Sequence, residues 1–404
     1  MTLKKVVIGM IGCGFAARLH LEGYKKIYGI EVCIKAASAV GDKKVIEDFA
    51  RDAGIETIYE DYRHMLKDEE IEVIDICTPP FLHEEMVIDA LKAGKHVICE
   101  KPLTGYFEQN NKDQDIGFAV AKSEMYQSVM NSLKRIEDAV SISKKQFMYA
   151  ENWIYASGVQ KIKELLIAKN SKILFIHAEE SHNGSHAYHA ANWKYTGGGV
   201  LIRQGCHPIS GVLYLKQAEA EMRGEEIQVE SVLADVGVTT AGLSEEEHVY
   251  IDAHPVDVED LANITITFSD KSKAHIISGD MVVGGMRNCM DVYTNNAVHK
   301  CSINPNTSLV SYHADEVGLS DVYIAEKVGT KQGWQFVGLE EEVMRGYAGE
   351  LQDFMECAAY DRKPLSDFKI AYDTAKVMYA AYQSAEENRR ICLIDHTEVR
   401  EDLC

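Results

Sequence analysis

The feature that most constrains this chain is a glycine turn between an apolar run and a helical one. Val6 to Ile11 leads into Gly12-Cys13-Gly14-Phe15-Ala16-Ala17, and a helical pattern follows. In a Gly-x-Gly-x-x-Ala turn the first glycine permits the tight bend. The second lets the backbone approach a phosphate, and the third small residue lets helix and strand pack closely. The helix N-terminus then faces a pyrophosphate. Any sharp strand-to-helix turn favours glycine, so the strand–turn–helix context carries the reading. The same rhythm continues. Strands are expected at Val32–Ala37, Ile71–Cys77 and His96–Cys99, alternating with helices at Phe15–Tyr28, Lys43–Ala53 and His83–Ala93. Alternation of this kind predicts a parallel sheet covered on both faces, the doubly wound α/β pattern of nucleotide-binding domains.

Gly105 to Met125 breaks the rhythm and reads as a polar insertion loop. A helix near Met125–Ser143 and a strand at Gln146–Ala150 close the first domain, which predicts a Rossmann domain over 1–149 and a second domain over 150–404. After a helix at Val159–Lys169, runs at Ile173–Ala178, Ile227–Val238, Leu261–Phe268 and Ala274–Ser278 follow one another as strands. Strands in succession predict an α+β domain built on a large, mainly antiparallel open sheet. Helices expected at Glu341–Ala359 and Ile370–Asn388 end the chain and are expected to pack back on the first domain.

A net charge of -21 over 404 residues argues against nucleic acid or an anionic membrane as partner. The ten cysteines show no zinc-type pairing, and Cys33, Cys77 and Cys99 sit in apolar runs, so reduced, buried thiols are expected. No signal peptide is read before the first strand and no apolar run has bilayer length, which makes the cytoplasm the expected compartment.

The second strand ends in Ala37-Ser38-Ala39-Val40-Gly41-Asp42. No acid stands where the ribose 2′-hydroxyl is usually bound, unless Asp42 reaches back. Ser38 with Lys43 and Lys44 would tolerate a 2′-phosphate. NAD and NADP both stay open, with NAD favoured because no arginine is ready to clamp that phosphate. A second turn, Gly94-Lys95-His96-Val97-Ile98-Cys99-Glu100-Lys101-Pro102, brings Lys101 to the end of an apolar strand where a nicotinamide ring would lie. There a lysine feels desolvation and the charge of the oxidised ring. Both predict a lowered pKa, which suits receipt or relay of a hydroxyl proton as hydride leaves carbon.

Together with Cys77-Thr78-Pro79-Pro80-Phe81-Leu82-His83, Glu100-Lys101-Pro102 and Gly197-Gly198-Gly199 through Gly205-Cys206-His207, these stretches make the chain resemble the Gfo/Idh/MocA family of oxidoreductases. The resemblance implies a bound nicotinamide cofactor held by Gly12, Gly14, Phe15, Ala16, Ala17, Ser38, Thr78, Pro79, His83, Glu100 and Lys101. It implies Lys101 and His207 as catalytic residues, a free sheet face that makes subunit contacts, and hence a homo-oligomer. Ala150-Glu151-Asn152-Trp153-Ile154-Tyr155, Ser181 to His186, Val256 to Asp260 and Gln332-Gly333-Trp334 resemble a narrower branch acting on glycosides. That branch implies oxidation of a ring hydroxyl at C3 of a sugar or glycoside, giving a keto-sugar. Two rivals share the fold: redox-assisted glycoside cleavage with recycled NAD, using His182 or His186 as an added base, and a non-catalytic nicotinamide-binding regulator.

The chain departs from the family at Arg203. Sugar and inositol dehydrogenases usually carry aspartate four residues before the histidine; on a regular helix Arg203 and His207 share a face. A permanent cation cannot be a base, so Arg203 is expected to hold a substrate oxygen or carboxylate, help lower the pKa of Lys101, or point away. His182 and His186 are expected to contact sugar hydroxyls, and Trp153, Tyr155, Trp193 and Trp334 to wall a sugar or aglycone. The reading needs no metal.

Overall fold

The computed structural model describes residues 3–39, 43–107, 115–185, 187–304, 309–325, 328–337 and 341–394. The first domain is a six-stranded parallel sheet. In chain order its strands are β1 (Lys4–Ile11), β2 (Ile30–Ser38), β3 (Thr57–Tyr59), β4 (Val73–Ile76), β5 (His96–Glu100) and β6 (Phe147–Ala150). Their spatial order is β3-β2-β1-β4-β5-β6, so the chain reverses direction across the sheet between β1 and β4. In such sheets ligands bind beyond the carboxyl ends of the strands at this switch point. Helices α1 (Phe15–Tyr24), α2 (Lys43–Ala53), α3 (His83–Lys92) and α4 (Lys122–Ile142) form the crossovers. β4 is buried along its whole length, as a strand covered on both faces must be.

The second domain carries a seven-stranded sheet, with α5 (Ser157–Lys169) preceding β7 (Ile173–Ser181). α6 (Cys206–Arg223) crosses to β8 (Val229–Gly237), β9 (Leu261–Phe268), β10 (Lys273–Gly279), β11 (Arg287–Thr294) and β12 (Val298–Ser302). The order is β12-β11-β7-β10-β9-β8, with the short strand Ile391–Cys392 on the β8 edge. Only β7 and β10 pair in parallel; the other pairs are antiparallel. The buried face of this sheet packs on α6, most of whose residues are themselves buried. α7 (Tyr347–Tyr360) returns to α1 and β1, and α8 (Phe368–Glu387) packs against α4, α6 and β8.

The structure corrects several local readings. The helix expected over Glu341–Ala359 is two helices, Glu341–Met344 and α7. The chain turns at Gly346, where φ is 101°, and Asn152 Nδ2 donates to the Arg345 carbonyl at 2.8 Å. The expected loop after Gly105 contains a short helix, Ile116–Ala119, and α4 starts at Lys122. α6, β3, β11, β12 and the hairpin Val310–His313/Gly333–Phe336 carried no signal strong enough to be read. Cys392, on the edge strand, is disulfide-bonded, against the expectation of reduced thiols. Among the described residues Cys13, Cys33, Cys77, Cys99, Cys206, Cys289, Cys301 and Cys357 are free. No described helix is long and apolar enough to cross a membrane.

One joint ties α8 to the loop that precedes α6. The Tyr382 hydroxyl donates to Glu259 Oε1 at 2.8 Å and accepts from the Gly199 amide at 3.2 Å; Glu259 also accepts from the amides of Gly199 and Leu201. Tyr382→Phe removes one donor from a buried carboxylate and is expected to cost about 1–3 kcal/mol in chemical denaturation. An unchanged denaturation midpoint would show that the joint carries no load.

Candidate active site

The glycine turn forms the cofactor cradle. Gly12 has φ of 105°, a Cβ there would run into the Cys77 carbonyl, and its amide donates to the Ser38 carbonyl at 2.8 Å. Gly14 is the N-cap of α1, and nothing lies within 4 Å of the place its Cβ would take. That open side, facing the first amides of a helix with no acid in its first turn, suits a pyrophosphate. Ala17 is buried against the strand, Ala16 is half-buried, and Phe15 is exposed at the rim. Ser38 is buried at the end of β2; Asp42 lies outside the described residues. Thr78 is half-buried and Pro79 exposed beside the cradle. His83 differs from its expected role as a cofactor contact. It is fully buried, and its ring bridges the carbonyls of Pro102 and Thr78, each at 2.9 Å, so it braces the two loops from below.

Lys101 follows directly on β5. Its Nζ donates to the backbone carbonyl of Arg203 at 2.8 Å, and its amide donates to Glu100 Oε2 at 3.0 Å. Glu100 is the end of a buried chain. Its Oε1 stands 3.2 Å from His20 Nε2, His20 Nδ1 stands 2.9 Å from Asp75 Oδ2, and the Tyr24 hydroxyl donates to the same oxygen at 2.8 Å. Burial opposes the His20 imidazolium, but Asp75 outweighs it and raises the pKa well above the ordinary value. Burial likewise raises the Glu100 carboxyl, yet His20 and Lys101 hold it below the usual range.

The lowered pKa expected for Lys101 is not what the unliganded chain shows. Burial pushes it down, but the Cys206 sulfur and the carboxylates of Glu100, Glu180 and Glu151 outweigh that and raise it. A lysine ringed by carboxylates keeps its proton.

His207 stands at the start of α6. Its Nδ1 donates to Glu151 Oε1 at 2.6 Å, and the ring stacks on buried Trp153 with centroids 6.3 Å apart and planes 16° apart. A neutral imidazole whose Nδ1–H is held by a carboxylate presents Nε2 as an acceptor, the tautomer of a base. Trp153 therefore seats the histidine.

Arg203 and His207 take different partners, Asp280 and Glu151, across a π-helical turn at Leu201–Gly205. The wider turn changes the spacing, and such turns recur at functional sites. The Arg203 guanidinium pairs with Asp280, which leaves its charge compensated inside the protein. Pro208 has no N–H, so in the π register the Arg203 carbonyl lacks a backbone donor. Lys101 supplies it.

His182 joins the same network. It is buried, its Nδ1 accepts from the Gly184 amide at 2.9 Å, and Gln204 Nε2 lies 2.9 Å from its Nε2, with Gln204 also donating to Asp280. His186 lies outside the described residues. Tyr155, expected to wall the substrate, is a buried joint whose hydroxyl donates to Asp353 at 2.7 Å and accepts from the Ser366 amide at 3.0 Å. Trp193 is likewise packed inside. Its amide donates to Asp257 at 2.7 Å and its ring meets Tyr382 at 4.8 Å. Trp334 is exposed on the hairpin.

Glu151, Glu180, Gln204 and Asp280 were missed as site residues. Glu151 lay inside a quoted motif, and its spacing to His207 carried no sequence signal. Glu180 and Asp280 sit at or beside the ends of β7 and β10, a hundred positions apart in sequence and brought to one end of the sheet only by strand register.

Residues 6–116 match the oxidoreductase family with an NAD-binding Rossmann fold, and residues 159–298 match the GFO/IDH/MocA C-terminal domain. The chain belongs to the Gfo/Idh/MocA family, and its first domain is an NAD-binding Rossmann domain. It is 33% identical over 151 residues to the levoglucosan dehydrogenase of Pseudarthrobacter phenanthrenivorans, 35% of this chain and 37% of that one. It is 33% identical over 97 residues to the myo-inositol 2-dehydrogenase of Thermotoga maritima, 24% of this chain and 28% of that one. The chain thus spans about a third of the length of the curated relatives it matches. The crystal structure of GenD2 from gentamicin A biosynthesis, in complex with NAD, has the same fold, with a TM-score of 0.77 at 18% identity over 98% of both chains.

Two outcomes test this geometry. Glu151→Gln is expected to lower kcat by about 10²-fold or more, because the His207 ring loses its anchor, with NAD affinity unchanged in a fluorescence titration. His20 titrates above its unfolded value, so its contribution to stability is complete below about pH 6.5 and is lost as pH rises through the folded pKa. Urea denaturation from pH 6 to 9 should show wild type losing stability relative to His20→Gln; parallel curves would contradict the assignment.

Proposed function

We propose that this protein is an NAD-dependent dehydrogenase that oxidises a ring hydroxyl, at C3, of a sugar or glycoside to a keto-sugar. The observation that carries the reading is the 2.8 Å bond from Lys101 Nζ to the Arg203 carbonyl, which joins the end of β5 in the NAD domain to the turn that delivers His207. The levoglucosan and myo-inositol dehydrogenase relatives support a polyhydroxylated ring as substrate. Residues 1–149 hold the cofactor, and residues 150–404 supply the substrate site. The free face of the second sheet, with exposed Phe175 and Leu233, supports subunit contacts in a homo-oligomer.

NAD held in the glycine cradle would supply the hydride acceptor. The protein's part is the proton. His207 Nε2 takes it from the substrate hydroxyl, with Glu151 stabilising the imidazolium. The raised pKa of Lys101 gives its ammonium the complementary task of holding the same oxygen as negative charge develops. Arg203, paired with Asp280, takes no part as a base.

Lys101→Met is expected to bind NAD as wild type does and to lose about 10³-fold in turnover, read as NADH absorbance with a panel of sugars and aryl glycosides. The product of the wild-type reaction should be two hydrogens lighter by mass spectrometry, oxidised at C3 by NMR. Wild-type turnover in the variant rejects the role of Lys101; a released aglycone in place of the keto-sugar rejects the dehydrogenase reading.

A further inference from the structure

Three clusters of metal-capable side chains stand among the described residues. Two of them are spent. Both ring nitrogens of His20 meet carboxylates, those of Asp75 and Glu100, and His207 is held by Glu151 in the site already described. The third cluster is His177, Glu179 and Cys289. It lies on the free face of the second sheet, and no step of the proposed reaction uses it. Strand geometry builds it. Residues two apart on a strand share a face, so His177 and Glu179 of β7 project together, on the side where Phe175 is exposed. Antiparallel register sets Cys289 of β11 opposite Glu179. Ala178 and Met290, which point the other way, are fully buried and apolar.

One nitrogen of His177, one carboxylate oxygen of Glu179 and the Cys289 sulfur all lie within 4.8 Å of one another. Tetrahedral ligands at zinc bond lengths of about 2.0–2.3 Å stand roughly 3.3–3.8 Å apart, so the three close in by about 1 Å to hold an ion. His177 and Cys289 are half-buried, which leaves the ion a path from solvent. The groups behind the ligands are arranged as a metal site requires. Asn263 Oδ1 on β9 stands 2.6 Å from His275 Nε2, and His275 Nδ1 stands 3.3 Å from His177 Nδ1, the two rings stacked with planes 27° apart. An amide oxygen only accepts, so His275 Nε2 carries a proton. Its Nδ1, in the neutral ring, then accepts from His177 Nδ1–H. That leaves the lone pair of His177 on Nε2. β10, which carries His275, and β11, which carries Cys289, flank β7 on opposite sides. Arg287 Nε donates to Glu179 Oε2 at 2.5 Å and leaves Oε1 for an ion. A ligating histidine that donates its other N–H, and a ligating carboxylate that accepts a hydrogen bond, are the supports such sites use.

We propose that His177, Glu179 and Cys289 bind one divalent ion of the zinc class, which clips β7 to β11 on the free face of the sheet. A thiolate, an imidazole and a single carboxylate select Zn²⁺ over Mg²⁺ and Ca²⁺, which take oxygen ligands. Cys289 gives up its proton to solvent as the ion binds, and water fills the fourth position. The ion takes no part in hydride or proton transfer, so the site stands whether or not the dehydrogenase reading does.

The test uses the untagged full chain, reduced, stripped with a chelator and dialysed, then titrated with Co²⁺ and back-titrated with Zn²⁺. One equivalent of Co²⁺ per chain should give visible d–d bands and a near-ultraviolet thiolate-to-cobalt charge-transfer band, with Kd below about 10 μM. Zn²⁺ should bleach both. Cys289→Ser should lose the charge-transfer band. His177→Ala should weaken binding by about 10²-fold or more, and His275→Ala by about tenfold to a hundredfold with the band retained. Zn²⁺ at a hundred times its Kd should raise the thermal midpoint of wild type by about 3 °C and leave that of Cys289→Ser unchanged. Each variant should bind NAD as wild type does, which shows that it folds; if Cys289→Ser fails this check, His177→Ala decides. Absence of the charge-transfer band, its survival in Cys289→Ser, or undiminished affinity in His177→Ala overturns the site. A Kd weaker than about 10 μM marks an adventitious ion only and overturns it as well.

Discussion

The bond between the Lys101 ammonium and the Arg203 carbonyl holds the two halves of the site in one place. On one side it ends β5, a strand fixed by the parallel sheet and by the Glu100–His20–Asp75 chain beneath it. On the other it meets a π turn, and Pro208, five residues after Arg203, cannot donate to its carbonyl. Neither half makes chemistry alone. The Rossmann domain binds NAD, and in the proposed reaction hydride and proton must leave one carbon and its oxygen together, which takes both domains.

Electrostatics explain why the two reactive groups differ. Lys101 is surrounded by Glu100, Glu151 and Glu180, which keep it charged despite burial. His207 has one carboxylate on Nδ1 and a tryptophan under its ring. An ammonium and an imidazole anchored by a carboxylate are the pairing that oxygen stabilisation and proton removal require. The arginine in the family's aspartate position does not disturb this, because Asp280 neutralises it.

Much of the fold was legible in the sequence because its signals are local. The Gly12–Ala17 turn, the strand–helix alternation and the run of strands after residue 170 each follow from periodicity and turn chemistry. α6 was not legible, because a helix buried on nearly every side has no polar face to set its period. Lys101 and His207 were named from local motifs. Glu180 and Asp280 were not, since only strand register brings the ends of β7 and β10, so far apart in sequence, together. The π turn was missed for a related reason: the spacing from Arg203 to His207 looks like an ordinary helical pair until a neighbouring strand claims the guanidinium.

The most direct measurement is a crystal structure of the NADH complex with a bound polyol. The account predicts that Lys101 Nζ and His207 Nε2 both reach the same substrate oxygen, beside the nicotinamide carbon that carries hydride. A complex in which those two atoms face separate cavities would contradict it.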